Sequence, residues 1–177
     1  GLNNNKPFKK AAKVIGDTVG QYHPHSLDGP YGALVNMTAT FSARYPLGDG
    51  SGNFGSIEND PPAAMRYVES RLSKTGDLLL GDTNEATVPW MPTYDNEGLE
   101  PKYLGGFFPN ILCNYTNGIA AGVSSMIPSH NATEVITALI KTIDQVNKGK
   151  DINTKFLMKY IKGPDFPTEG IIMNPDD

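Results

Sequence analysis

Arg66 and Tyr67 stand side by side in the run Ala63-Ala64-Met65-Arg66-Tyr67-Val68-Glu69-Ser70-Arg71-Leu72. A phenolic oxygen can attack phosphorus, but a free tyrosine ionises only near pH ~10 and is a weak nucleophile at neutrality. A neighbouring cation favours the phenolate, and it also steadies the charge that gathers on a phosphate under attack. The pair is therefore a candidate for phosphoryl transfer, although Arg-Tyr alone is a common dipeptide. His23 and His25, in Tyr22-His23-Pro24-His25, could shuttle protons or hold a phosphate, or could be ordinary turn residues. Gly50-Ser51-Gly52-Asn53-Phe54-Gly55 has the spacing G-x-G-x-x-G. A dinucleotide site needs a strand before that motif and a helix opening within it, and Tyr45-Pro46-Leu47-Gly48 does not supply the strand. The glycines read better as a tight turn or a close backbone approach. The sequence carries no P-loop, no zinc spacing and no Asp-x-Asp pair to hold Mg²⁺. No metal ligand is assigned, and a metal acting at Tyr67 would come from another polypeptide.

These groups need elements to hold them. Phe8, Ala12, Ile15, Val19 and Tyr22 recur at helical steps, which predicts one helix with Lys9, Lys10 and Lys13 off its apolar stripe. Pro24 breaks it, since proline disfavours helical geometry in the residue before it. Tyr31, Leu34, Val35, Thr38 and Phe41 predict a second helix. The two form either a helix-turn-helix or an ordinary helical hairpin. Residues 46–59 read as loop. Asp60 with Pro61 and Pro62 reads as the start of a third helix, with Ala64, Val68 and Leu72 buried and Gly76 as its stop. Short strands are expected at Thr87–Met91, Asn110–Asn114 and Gly170–Met173. Asn131 and Glu134 form a capping box that opens a helix to about Lys148, with an apolar face of Val135, Ile136, Leu139, Ile140, Ile143 and Val146. A short helix follows near Thr154–Tyr160. The whole is an α+β pattern.

With 177 residues, 38% hydrophobic and 19% charged, the chain has the composition of a globular protein. Neither a secretory leader nor a membrane-length apolar run is visible. The single cysteine, Cys113, fits a reducing cytoplasm, and three glycosylation sequons, at Asn36, Asn114 and Asn131, read as chance. Charge is uneven. Residues 1–80 hold eight Lys/Arg and seven Asp/Glu, net +1, while 81–177 hold seven and twelve, net −5. The cluster Lys6, Lys9, Lys10 and Lys13 gives the first part a local affinity for phosphate that the overall −4 conceals.

Taken together, the runs Lys6-Pro7-Phe8-Lys9-Lys10-Ala11-Ala12, Gly20-Gln21-Tyr22-His23-Pro24-His25, Phe41-Ser42-Ala43-Arg44-Tyr45, Gly52-Asn53-Phe54-Gly55-Ser56-Ile57 and Ala63 to Lys74 resemble the A subunits of bacterial type IIA DNA topoisomerases. Phe108-Pro109-Asn110-Ile111-Leu112, Asn117-Gly118-Ile119-Ala120 and Gly163-Pro164-Asp165-Phe166-Pro167-Thr168 continue the likeness in family order. The resemblance implies a winged-helix DNA-gate domain over residues 1–105 and part of an α/β tower, or shoulder, domain over 106–177. It implies that Tyr67 cleaves DNA through a 5′-phosphotyrosyl link, with Arg66 and His25 as catalytic partners. His23, Lys9, Lys10, Lys13 and Arg44 would contact double-stranded DNA, and Ile119, in a turn, would wedge between base pairs. Read without the resemblance, Ile119 is a simple core residue. A B subunit would hold Mg²⁺ and ATP, and the A subunit would form a homodimer through the DNA gate. The enzyme would work in the cytoplasm, at the nucleoid.

The resemblance is imperfect. After His25 the family has Gly-Asp-Ser-Ala-Val-Tyr-Asp, whereas this chain has Ser26-Leu27-Asp28-Gly29-Pro30-Tyr31-Gly32. Asp28 and Gly32 thus replace the serine and acid that contact quinolones, which implies weak quinolone binding. Pro30 is tolerable only in the first turn of its helix. The upstream arm, coiled coil, exit gate and wrapping domain of the family are not among these residues. The alternative reading is a DNA-binding or partner-binding module that keeps the fold without cleavage. A hydrolase built on the glycine-rich loop would lack a nucleophile–base pair.

Overall fold

The computed structural model describes residues 1–84, 87–170 and 173, and the middle of the strand expected at Gly170–Met173, residues 171 and 172, lies outside the described residues. The chain divides into two compact units, Gly1–Phe108 and Pro109–Asp177. Helices and small antiparallel sheets make up both, so the fold is mixed α+β.

In the first unit, β1 (Lys9–Lys10) leads into α1 (Ala11–Gln21) and then α2 (Asp28–Thr38). The helix expected to begin near Phe8 therefore starts later, and Lys9 and Lys10 sit on a strand. The reason is a partner: β1 pairs antiparallel with β3 (Glu69–Leu72), matching Lys9 with Ser70 and Lys10 with Glu69. α1 ends before Pro24, as the proline requires. Pro30 occupies the first turn of α2, where its missing N–H costs nothing. Phe41 falls beyond α2, because Ala39 turns to extended geometry at the helix end.

Residues 46–59 are not all loop. β2 (Gly48–Ser51) is a strand paired with β3, with Gly50 opposite Ser70, so the sheet order is β1-β3-β2. Its glycines serve close packing. A Cβ on Gly48 would lie 2.3 Å from Thr38 Oγ1, and one on Gly50 would lie 2.5 Å from Thr38 Cγ2 and Phe54 Cε2. Only a bare backbone lets the end of α2 rest on the strand.

The third expected helix is the largest correction. Residues 61–64 are irregular, 65–67 form a turn, and 69–72 are the central strand β3. Two prolines lead in, and the sheet then takes the backbone that a helix would have used. The stripe Ala64, Val68, Leu72 is not one helical face: only Val68 is fully buried. A helix does follow, α3 (Lys74–Leu79), capped by Ser73, whose Oγ accepts from the Gly76 N–H at 3.0 Å. Gly76 lies inside that helix and does not stop it. The core is Ala11, Phe54 and Val68, with Tyr31, Leu34, Val35, Ala63 and Met65 packed around it. A hairpin, β4 (Trp90–Pro92) with β5 (Leu99–Pro101), lies further along, starting later than the strand expected at Thr87.

In the second unit, Asn110–Cys113 is a short helix, α4, where a strand was expected. β6 (Thr116–Ala120) and β7 (Val123–Ile127) form a hairpin. α5 (Ala132–Val146) begins at the expected cap: Asn131 Oδ1 accepts from the N–H groups of Thr133 and Glu134. The box is not closed, because the Glu134 carboxylate accepts from the Lys162 N–H at 3.0 Å. Val135 and Ala138 of α5 are buried, while Ile136, Leu139, Ile140, Ile143 and Val146 are exposed. The helix near Thr154–Tyr160 is shorter than expected, α6 (Thr154–Leu157), capped by Asn153.

Candidate active site

The segment carrying Arg66 and Tyr67 is exposed at its tip and anchored on both sides. Tyr67 is 66% exposed, and the next residue, Val68, is 0% exposed. The Tyr67 N–H donates to the Ala64 carbonyl at 2.9 Å, closing the turn. The first amides of α1 then grip it: Ala11 N–H donates to Val68 O at 3.0 Å, and Ala12 N–H donates to Met65 O at 3.1 Å. Amides at a helix start lack intrahelical partners, so they are free to do this. Upstream, Ala63 N–H donates to Asn53 O at 3.0 Å, and the Tyr31 hydroxyl donates to the Ala63 carbonyl. Asn53 Oδ1 also accepts from the Gly55 N–H at 2.8 Å. The glycine-rich segment thus cradles the tyrosine segment.

The Arg66 guanidinium lies over the Tyr67 ring, 4.7 Å from its centroid. That cation–π contact holds a positive charge beside the phenol. Lys10 pairs with Glu69 at 3.0 Å, two residues beyond Tyr67. Lys9 and Lys13 are exposed on β1 and in the first turn of α1. Arg44 is half-buried, its guanidinium over the Tyr45 ring at 4.7 Å.

His23 and His25 are exposed just past the other end of α1, with ring centroids 4.7 Å apart. The His23 N–H donates to Thr18 O at 2.9 Å and the His25 N–H to His23 O at 2.8 Å. The two histidines and the Tyr67 turn are therefore attached to opposite ends of an 11-residue helix. At about 1.5 Å per residue, those attachments are ~15 Å apart along its axis. Arg66 and Tyr67 are brought together, while His23 and His25 are grouped apart from them. Ile119 belongs to the second unit, in β6 and not in a turn, and is 84% exposed, which excludes the reading as a core residue. Among the described residues, no group of three or more His, Cys, Asp or Glu side chains could hold a metal ion.

The family of the DNA gyrase/topoisomerase IV A subunit matches this chain over residues 1–177. The chain belongs to that family. Among similar proteins is the DNA gyrase A subunit of Kosmotoga olearia, 47% identical over 99% of this chain and 21% of its own length. The DNA topoisomerase 4 A subunit of Staphylococcus epidermidis is 50% identical over 94% of this chain and 20% of its own length. A DNA gyrase A subunit of Spiroplasma citri is 48% identical over 92% of this chain and 70% of its length. The chain thus spans about one-fifth of the first two relatives. No helix among the described residues is long and apolar enough to cross a membrane.

For this member of the topoisomerase family, sequence reasoning missed one cation near the basic segment. Arg71 Nε donates to Asp49 Oδ2 at 2.8 Å, its guanidinium stacks 4.2 Å over the Phe8 ring, and it donates to Lys6 O at 3.1 Å. It ties the sheet to the stretch that carries Lys6, Lys9 and Lys10. The signal was present, since Arg71 lies four residues after Tyr67, but only the strand geometry of β3 turns it toward Asp49.

Proposed function

We propose that this chain carries the DNA-cleaving tyrosine of a type IIA topoisomerase, with α1, α2 and the β1-β3-β2 sheet as a winged-helix DNA gate and residues 106–177 as part of a tower domain. The observation that carries the reading is Tyr67 itself: an exposed phenol, on a turn braced by buried neighbours, under a guanidinium 4.7 Å from its ring. The phenolic oxygen attacks a backbone phosphorus of duplex DNA. The new bond is phosphorus to the tyrosine oxygen. The phosphorus–O3′ bond breaks, the 3′ oxygen leaves as a hydroxyl, and the phenol gives up its proton. The 5′-phosphotyrosyl link keeps the bond energy, so religation is the same exchange reversed.

Arg66 stabilises the crowded phosphate in the transition state. Lys9, Lys10, Lys13 and Arg44 hold the DNA backbone without reading sequence. Ile119 enters the base stack, where unstacking costs a few kcal/mol per step and is offset by the larger protein surface that bent DNA can wrap. His25, with His23, contacts phosphate at the far end of α1. The ~15 Å length of that helix favours a homodimer, in which the histidine end of one copy and the Tyr67 turn of another face one duplex. Mg²⁺ and ATP are assigned to a B-type subunit, as in the family reading, and the enzyme's place of work is the cytoplasmic nucleoid.

The test mixes the chain with a gyrase B subunit, Mg²⁺ and duplex DNA, and traps protein–DNA adducts with detergent. A covalent adduct that Tyr67→Phe abolishes is the expected result. DNA binding without any adduct would favour the alternative, a non-cleaving DNA-binding or partner-binding module. The altered start of α2, with Asp28 and Pro30, is the feature that speaks for that alternative.

A further inference from the structure

The Tyr67 turn has a holder whose side chain takes no part in the reaction proposed above. Tyr31 lies on α2, with its ring packed against Ala11, Phe54 and Val68. Its hydroxyl donates to the carbonyl of Ala63. Ala63 is also gripped through its own N–H by Asn53 O, so α2 and the glycine-rich segment meet at this residue. One residue on, the Ala64 carbonyl accepts the Tyr67 N–H and closes the turn. α1 holds the turn on both sides of Tyr67, through Ala12 N–H on the Met65 carbonyl and Ala11 N–H on the Val68 carbonyl. The turn itself is thus fixed by α1, and its approach at Ala63 is fixed by the Asn53 carbonyl and by one side-chain hydroxyl, that of Tyr31 on α2. Burial pushes the Tyr31 phenol up from its ordinary value, so the hydroxyl keeps its proton and remains a donor.

We propose that Tyr31 is a positioning residue for Tyr67: by holding the Ala63 carbonyl, its hydroxyl ties the placement of α2 to the placement of the attacking phenolic oxygen. The proposal rests on the reading of Tyr67 as nucleophile. A reacting oxygen must be held in near-attack geometry, and misplacement by about 1 Å can cost ~10²-fold in rate. Through this bond the approach to the Tyr67 turn keeps a fixed place on α2. The glycine-rich segment acquires a role by the same contacts, as a scaffold for the tyrosine and not as a phosphate cradle.

Tyr31→Phe removes the hydroxyl and keeps the ring in the core. Hydrogen exchange read amide by amide should then rise about five- to tenfold at Ala63 and Tyr67, the factor set by one net hydrogen bond, and stay unchanged in α1 and β2. With a gyrase B subunit, Mg²⁺ and saturating DNA, the rate of adduct formation should fall about tenfold while the Kd for DNA is unchanged. Unaltered exchange at Ala63 and Tyr67 overturns the proposal, and so does a uniform rise across residues 1–108, which would make Tyr31 a core residue only. If the unmodified chain forms no adduct, the nucleophile reading fails and the catalytic half of this proposal falls with it. The exchange arm still decides separately whether Tyr31 holds the turn.

Discussion

Tyr67 and Ile119 are both exposed, yet the two are supported in opposite ways. The Tyr67 turn borrows rigidity from the core: Val68 is buried beside it, two helix-start amides grip it, and Tyr31 and Asn53 hold its approach. The Ile119 hairpin is tied at its base, where the Thr116 hydroxyl donates to the Ile111 carbonyl at 3.2 Å, and its tip is carried by its own ladder. Asn117 pairs with Met126 and Ile119 with Ser124, and Ile119, Val123 and Met126 are all strongly exposed. A wedge needs to be apolar and stiff along one direction, which two paired strands supply. A nucleophile needs its oxygen fixed in three dimensions, which they do not. The contrast suits the two roles proposed for these residues.

That contrast meets its hardest test at the chemistry. Arg66→Ala should lower the rate of adduct formation by about 10²-fold, the usual cost of one lost transition-state donor, with little change in folding because Arg66 is exposed. Rapid-quench adduct assays read this directly. An unchanged rate would leave the guanidinium as mere decoration of the ring. Val68→Ala comes next. Removing part of a side chain that is 0% exposed should cost about 2 kcal/mol in denaturant unfolding and loosen the turn as well. Ile119→Ala should do the reverse: stability within ~0.5 kcal/mol, but reduced DNA bending measured by energy transfer between end labels. If the alanine variant bends DNA normally, the wedge role is lost.

Legibility in the sequence followed the same divide. Local capping was readable, and Asn131 opens α5 as its side chain requires. The pair Arg66–Tyr67 was readable because the two residues are adjacent. The elements around them were not. Asp60, Pro61 and Pro62 look like a helix start, yet the chain enters β3 because Ser70 and its neighbours find partners on both sides, in β1 and β2. Pairing between residues about 20 to 60 apart leaves no local trace, and a glycine-rich strand such as β2 hides its own identity. The hairpin of β6 and β7 was missed for a similar reason, since Gly118, Gly122 and small polar residues blur its alternation. The exposed face of α5 shows the converse limit. Periodicity marks which side is apolar, and it does not say that the described residues cover it.

The gentlest test uses acid and sets one hairpin against another. The β4–β5 loop is tied by Asp95, whose Oδ1 accepts from the Thr93 hydroxyl at 2.5 Å and the Glu97 N–H at 3.1 Å. The Thr93 bond first, and the Glu97 amide second, hold the Asp95 carboxyl below its usual range. A carboxyl whose folded value is depressed adds stability above its unfolded pKa, near ~3.9, and loses it as pH falls through the folded value. Lowering the pH should therefore speed exchange at the Gly98 and Lys102 amides, after correction for intrinsic rates. The β6–β7 hairpin has no carboxylate in its strands or turn, and its ladder should not respond. Asp95→Ala should remove the difference between the two, since it deletes the acceptor that titrates. If both hairpins loosened together in acid, the ladder under Ile119 would depend on charges elsewhere. The view of it as a self-supporting wedge would then be wrong.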